Sequence, residues 1–192
     1  ILTTEAKLHW IEQEALSGIP EIEVGSFVPP KLLPQMAETA KVVEGALLFK
    51  NLKVSVLVPN FRGAIDAMAS GAHQLNYVLS VSEAHSQSNV RKSVHEAIDD
   101  FEKILKFRKE HPEYSDVKVG IGLATAFGCT IAGEINLPSV LGVLERIVAL
   151  EPDEIAIADT VGYGNPAQTK TIFSEVLSIA DGCPVAAHFH DT

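Results

Sequence analysis

Apolar positions along the chain follow two periods that take turns. Longer stretches repeat apolar side chains every three or four residues, as one face of a helix does; shorter runs of Val, Ile, Leu and Ala end on polar residues, as buried strands do. Thr3 or Thr4 can cap a helix reaching Ser17, with Leu8, Ile11, Ala15 and Leu16 on one face and Gly18 just past its end. An extended run covers Glu21 to Phe27, and Pro29-Pro30 opens a helical pattern from Leu32 to Leu48. Val54 to Val58 reads as a strand stopped by Pro59-Asn60, followed by a helix from Arg62 to Ser70. Leu75 to Val81 is the next strand. Val94 to Lys109 is the clearest amphipathic helix, with Ala97, Ile98, Phe101, Ile104, Leu105 and Phe107 opposite Glu96, Asp99, Asp100, Glu102 and Lys103. Val117 to Thr125 and Glu154 to Ala158 read as strands. Leu137 to Leu150 reads as a helix with Pro138 in its first turn, and Asn165-Pro166 starts another that reaches Ala180. Val185 to His190 is the last strand.

Strands and helices therefore alternate at a spacing of about 30 residues, the length of a βαβ unit. The strands' aliphatic content suits a parallel sheet covered on both faces. An open doubly wound sheet and a closed barrel both fit this α/β pattern. No Gly-rich phosphate loop follows an early strand, which disfavours the first. Polar residues gather where strands end, at Glu23, Ser26, Asn60, Ser82, Glu83, Thr125, Asp159, His188 and His190, which favours the second, because barrel enzymes keep their chemistry on that rim. The expected fold is a partial TIM (β/α)8 barrel with six parallel strands, in a single domain over residues 1–192. A whole barrel needs about 250 residues, so both ends of the chain read as cut.

Charge and composition narrow the function classes. The net charge of -10 gives no basic face for a nucleic acid, and no apolar run approaches the roughly 20 residues of a membrane span. Ile1-Leu2-Thr3-Thr4 has neither an initiator Met nor the basic start of a signal peptide. Cys129 and Cys183 lie far apart and read as reduced thiols, and nothing adjacent to Cys129 in sequence would lower its pKa.

Side chains two apart on a strand share a face, so His188 and His190 project together and Phe189 points toward the helix layer. Two neutral imidazoles side by side can claim a divalent metal, although both could also be ordinary strand histidines hydrogen-bonded to neighbours. Asp159, at the end of the preceding strand, can orient an imidazole, handle substrate protons or cap its own turn. Glu23 points into the expected barrel and needs a cationic or metal neighbour, either for chemistry or in a purely structural salt bridge to an arginine. Lys31 is the best-placed cation for an anionic substrate, with a solvated surface lysine as the alternative. His9, His73, His85, His95 and His111 lie on or beside helices and read as solvated.

The segment Ile22-Glu23-Val24-Gly25-Ser26-Phe27-Val28-Pro29-Pro30-Lys31 with Pro34-Gln35-Met36 resembles the second-strand signature of the 3-hydroxy-3-methylglutaryl-CoA lyase family. So do Leu57-Val58-Pro59-Asn60, Ser82-Glu83-Ala84-His85-Ser86-Gln87, Asp159-Thr160-Val161-Gly162 and His188-Phe189-His190-Asp191-Thr192, in the same order. The resemblance implies strands 2–7 of a metal-dependent barrel that cleaves 3-hydroxy-3-methylglutaryl-CoA to acetyl-CoA and acetoacetate, a step of leucine degradation. It makes His188 and His190 ligands of Mg²⁺ or Mn²⁺, Glu23 and Asp159 catalytic carboxylates, and Ser26 and Lys31 contacts to an acyl-CoA substrate. It implies a homodimer for the full-length protein, in a bacterial cytoplasm or a mitochondrial matrix.

Some family features fall outside the chain or differ within it. The family's first-strand Arg-Asp pair would precede Ile1; its eighth-strand Asn ligand and catalytic Cys would follow Thr192, so this piece alone is expected to be inactive. Thr130-Ile131-Ala132 replaces a Pro-Tyr-Glu run after Gly128-Cys129, and Phe189 replaces a common Cys. A condensing synthase of the isopropylmalate or homocitrate type is the nearest alternative, and a non-catalytic interaction module is the other.

Overall fold

The computed structural model describes residues 2–190. Six strands, β1 (Glu21–Ser26), β2 (Lys53–Val58), β3 (Gln74–Ser80), β4 (Lys118–Ala124), β5 (Glu154–Asp159) and β6 (Val185–Phe189), form one sheet in the order β1-β2-β3-β4-β5-β6. Their sequential, reversal-free order is the arrangement expected of part of a (β/α)8 barrel and excludes the doubly wound alternative. Seven α-helices accompany them among the described residues: α1 (Thr4–Leu16), α2 (Thr39–Ala46), α3 (Phe61–Ala69), α4 (Glu83–Val90), α5 (Val94–Glu110), α6 (Leu137–Val148) and α7 (Pro166–Ile179).

The chain forms two compact units. One holds the residues up to Tyr77 together with Lys106–Lys118; the other holds Val78–Leu105 together with the residues from Val119 onward. In the first, Val54, Val56 and Val58 of β2 are fully buried, as are Val43 and Ala46 of α2. In the second, Ile121 and Leu123 of β4, Ile155 and Ile157 of β5 and Leu144 and Ile147 of α6 form an aliphatic core. Each of these Val, Ile and Leu side chains contributes about 1.5–3 kcal/mol on leaving water. The terminal strands β1 and β6 stay largely half-buried or exposed, because each pairs on one side only.

Side-chain caps set most helix starts. Thr3, Asn60, Asn136 and Asn165 each accept a backbone N–H in the first turn of α1, α3, α6 and α7. Ser93 and Glu96 exchange the two bonds of a capping box at the start of α5, at 2.7 and 3.1 Å.

One local expectation fails, and one helix falls where none was expected. The single helix expected from Leu32 to Leu48 is a 3₁₀ turn at Pro34–Met36 followed by α2. Pro34 disfavours helical backbone at Leu33, which sits at φ -138, ψ 82, so the helix restarts beyond it. The polar run from Glu83 to Val90, to which the sequence assigns no element beyond the strand end at Ser82 and Glu83, is helix α4. Its buried face consists of Ser86 alone, so it carries no apolar stripe to announce it.

Candidate active site

In the first unit, Glu23 lies in β1 opposite Ser55 of β2, and the ladder is irregular between Glu23 and Ser26. Such irregularities re-aim side chains near functional sites. The Asn76 Nδ2 amide donates to Glu23 Oε2 at 3.0 Å, and Asn76 Oδ1 in turn accepts from Gln74 Nε2 at 2.8 Å. Among the described residues Glu23 has no ion pair; the nearby Lys53 goes to Glu21 at 2.9 Å. The side chain is open to solvent, yet enough protein surrounds it for desolvation to raise its pKa; the Asn76 bond opposes this and the charge of Glu21 adds to it. The expected cationic partner is thus a neutral amide here. Glu23 also lines an apolar groove of about 580 Å³ beside Trp10, Ile11 and Met36.

Ser26 ends β1. Its carbonyl accepts from Thr39 Oγ1 at 3.0 Å, while its hydroxyl has no hydrogen-bond partner among the described residues. Lys31 is exposed and makes no ion pair among them.

In the second unit, β5 and β6 run in parallel register with Ala158 opposite His188 and Asp159 opposite Phe189. The His188 and His190 Nε2 atoms are 3.0 Å apart and the rings stack at 4.9 Å. Only one of the two nitrogens can carry the shared proton, so the contact needs at least one neutral ring. Burial lowers the pKa of His188, and the neighbouring His190 lowers it further. Phe189 turns the other way and packs on Phe127 at 5.4 Å and on Phe173 of α7 at 6.3 Å. His190 lies just past β6 rather than within it. Asp191 and Thr192 lie outside the described residues.

Asp159 does not reach the imidazoles. Its side chain is buried, Oδ1 accepts Tyr163 N–H at 2.9 Å and Oδ2 accepts Gly164 N–H at 2.7 Å. A Cβ at position 164 would stand 2.8 Å from Oδ2, so only glycine lets the loop close on the carboxylate. Next to it, Thr160 Oγ1 accepts Thr125 N–H at 2.7 Å, and Thr125 Oγ1 accepts Ser82 N–H at 3.1 Å. Thr125 is fully buried at φ +62, a backbone conformation a β-branched residue adopts at a cost.

Sequence reasoning missed several of these contacts. His85 is half-buried, with Nδ1 2.7 Å from Ser80 Oγ, and burial lowers its pKa. His73 Nδ1 accepts Val54 N–H at 2.9 Å, and His111 stacks on Phe107 at 3.9 Å. Burial would raise the pKa of Cys129, but bonds from Ser82 and from the Ala132 and Ile131 N–H groups bring it below the usual thiol value. The spacing of Ser80, Ser82 and His85 around a strand end was the one available signal.

A site for a divalent ion has to be judged on its donors. Among the described residues no cluster of three or more His, Cys, Asp or Glu is placed to hold a metal. The His188–His190 pair fits as part of a site: both Nε2 atoms converge, and metal binding needs unprotonated imidazole. No helix among the described residues is long and apolar enough to cross a membrane.

Comparison with known proteins bears on the whole chain. It is 31% identical over 191 residues to Hydroxymethylglutaryl-CoA lyase YngG of Bacillus subtilis and 32% identical over 192 residues to the mitochondrial hydroxymethylglutaryl-CoA lyase of Bos taurus. All of this chain is covered in both matches, but it spans only 62% and 58% of those relatives. A solved HMG-CoA lyase from Acinetobacter baumannii, in complex with coenzyme A and 3-methylmalate, superposes with a TM-score of 0.89 at 32% identity, covering 98% of this chain and 60% of that one. The Bacillus subtilis HMG-CoA lyase structure gives 0.90 at 29% identity, covering 99% and 62%. The HMGL-like family model matches residues 1–192, and the chain belongs to that family.

Proposed function

We propose that the protein containing this chain is a divalent-metal-dependent lyase that cleaves 3-hydroxy-3-methylglutaryl-CoA to acetyl-CoA and acetoacetate. The observation that carries the reading is the convergent His188–His190 pair, in a chain about 30% identical throughout to HMG-CoA lyases. His188 and His190 would hold Mg²⁺ or Mn²⁺ through Nε2, with oxygen donors from elsewhere completing the roughly six positions such ions take. When bound, the ion favours ionisation of the substrate hydroxyl and steadies the developing carbonyl.

The chain's own residues supply the rest. Glu23 is the proton-handling carboxylate: desolvation raises its pKa, which makes the ionised carboxylate a stronger proton acceptor, and Asn76 orients Oε2 while leaving Oε1 open. Asp159 acts through the backbone, fixing the loop from Thr160 to Gly164 beside the histidine strand. The unpaired Ser26 hydroxyl and the exposed Lys31 are available to the acyl-CoA, Lys31 to its anionic groups. A homodimer, in a bacterial cytoplasm or a mitochondrial matrix, completes this reading.

Turnover of the full-length protein tests it. With Mg²⁺, 3-hydroxy-3-methylglutaryl-CoA should yield acetoacetate and acetyl-CoA. If acetyl-CoA condenses with 2-oxo acids instead, the protein is a synthase and the lyase reading falls.

A further inference from the structure

Within the second unit, the C-terminal ends of β3, β4, β5 and β6 lie along one edge of a parallel sheet. Neighbouring strands are about 4.8 Å apart, so β3 and β6 end about 14 Å from each other. His188 and His190 occupy the β6 end; Ser80 and His85 occupy the β3 end. Ser82 fixes His85 there by accepting its backbone N–H at 3.2 Å as the cap of α4.

Two features separate this pair from an ordinary surface histidine. Ser80 is buried, with 2% of its surface exposed, so its hydroxyl is shielded from attack on a ligand and serves to orient the ring. His85 Nδ1, 2.7 Å away, is the sole hydrogen-bond partner of Ser80 Oγ among the described residues. A buried hydroxyl proton with no acceptor is costly, so Ser80 donates to Nδ1. The neutral ring then carries its proton on Nε2, and that N–H has no partner among the described residues.

We propose that Ser80 and His85 form a ligand contact in which the neutral His85 Nε2–H donates to a carbonyl oxygen of the bound acyl thioester. This rests on the lyase reading, in which one fragment leaves as a thioester enolate whose oxygen gains charge and is stabilised by a fixed donor. Two carbonyls of an acyl-CoA present the same chemistry: the thioester itself and the amides of the pantetheine arm. A donor to the thioester acts on kcat, because the charge develops there; a donor to an arm amide acts on KM.

The experiment uses the full-length protein with Mg²⁺ and the variants His85→Phe, His85→Gln and Ser80→Ala. Steady-state cleavage of 3-hydroxy-3-methylglutaryl-CoA is measured together with calorimetric binding of acetyl-CoA. His85→Phe should lower kcat about tenfold or more if the thioester is the acceptor, or raise KM by as much if an arm amide is. His85→Gln, whose amide restores a donor, should recover most of the loss, and Ser80→Ala should move the same parameter less. Unchanged kinetics in His85→Phe, or a loss that Gln does not recover, overturns the proposal. Should His85→Phe not fold, the Gln and Ala variants decide: wild-type values in Ser80→Ala, or a full loss in His85→Gln, overturn it. If the unmodified protein does not cleave the substrate, the lyase reading fails alone, and His85 is judged on acetyl-CoA affinity, which must weaken in His85→Phe.

Discussion

Glu23 and Asp159 are both carboxylates on strands, and their surroundings are opposites. Asp159 is buried with each oxygen engaged by a backbone N–H of its own loop. Glu23 is open to solvent, has one amide partner and carries a pKa pushed upward. A buried carboxylate with both oxygens bonded to its own loop holds that loop in place; one with a single oxygen engaged and open to solvent keeps more capacity for chemistry.

The sharpest way to break the contrast is Glu23→Gln. The substitution keeps the shape and removes the titrating group, so cleavage by the full-length enzyme should fall by about 10²–10⁴, the usual worth of a positioned acid or base. Stability should hold or rise. Because the folded-state pKa of Glu23 is raised, protonation favours the native state, and that advantage fades as pH rises from 4.5 through the folded value. Melting temperatures of the two proteins should therefore converge in acid and separate, if at all, at neutral pH. A Gln variant with wild-type turnover removes Glu23 from the reaction.

Asp159→Ala should do the reverse, lowering stability first. It orphans the Tyr163 and Gly164 N–H groups, at about 3 kcal/mol for the pair. For a domain of this size that is a drop of roughly 6–12 °C in Tm, readable by thermal denaturation. A variant as stable as wild type with abolished turnover would mean that Asp159 belongs with Glu23.

How much of this contrast was legible beforehand depended on sequence distance. The period of two placed His188 and His190 on one face and Phe189 on the other, and the structure agrees. The partner of Glu23, by contrast, lies 53 residues away and follows only from the pairing of strands. Helix α5 announced itself by its apolar stripe, whereas α4 had none, and Pro34 split a helix that apolar spacing alone had drawn as continuous. Thr125 read as one more polar strand end, since nothing in the letters reveals a positive φ.

The histidine pair extends the comparison to side chains left free for a ligand. His190→Ala removes one of about six donors from the proposed metal site, so Mn²⁺ affinity of the full-length protein should fall about tenfold or more in calorimetric titration, about 1.4 kcal/mol. Equal affinity in the variant would return the pair to mutual hydrogen bonding.

The smallest effect concerns the tie that holds Asp159's loop to its neighbours. Thr125 offers a hydroxyl to Ser82 N–H and a backbone N–H to Thr160 Oγ1, from a strained backbone with its methyl group buried. Thr125→Val keeps the shape and the strain but leaves the Ser82 N–H unpaired, which should cost about 1–2 kcal/mol. Thr125→Ser keeps the hydroxyl and gives up one buried methyl, worth about 0.8 kcal/mol. Removing the β-branch relieves part of a strain on the order of 1–3 kcal/mol, so its stability should stay within about 0.5 kcal/mol of wild type. Denaturant midpoints of the two variants separate the contributions. A Ser variant as unstable as Val would mean that the methyl contact, and not the hydroxyl, ties β3 to β4 at this corner.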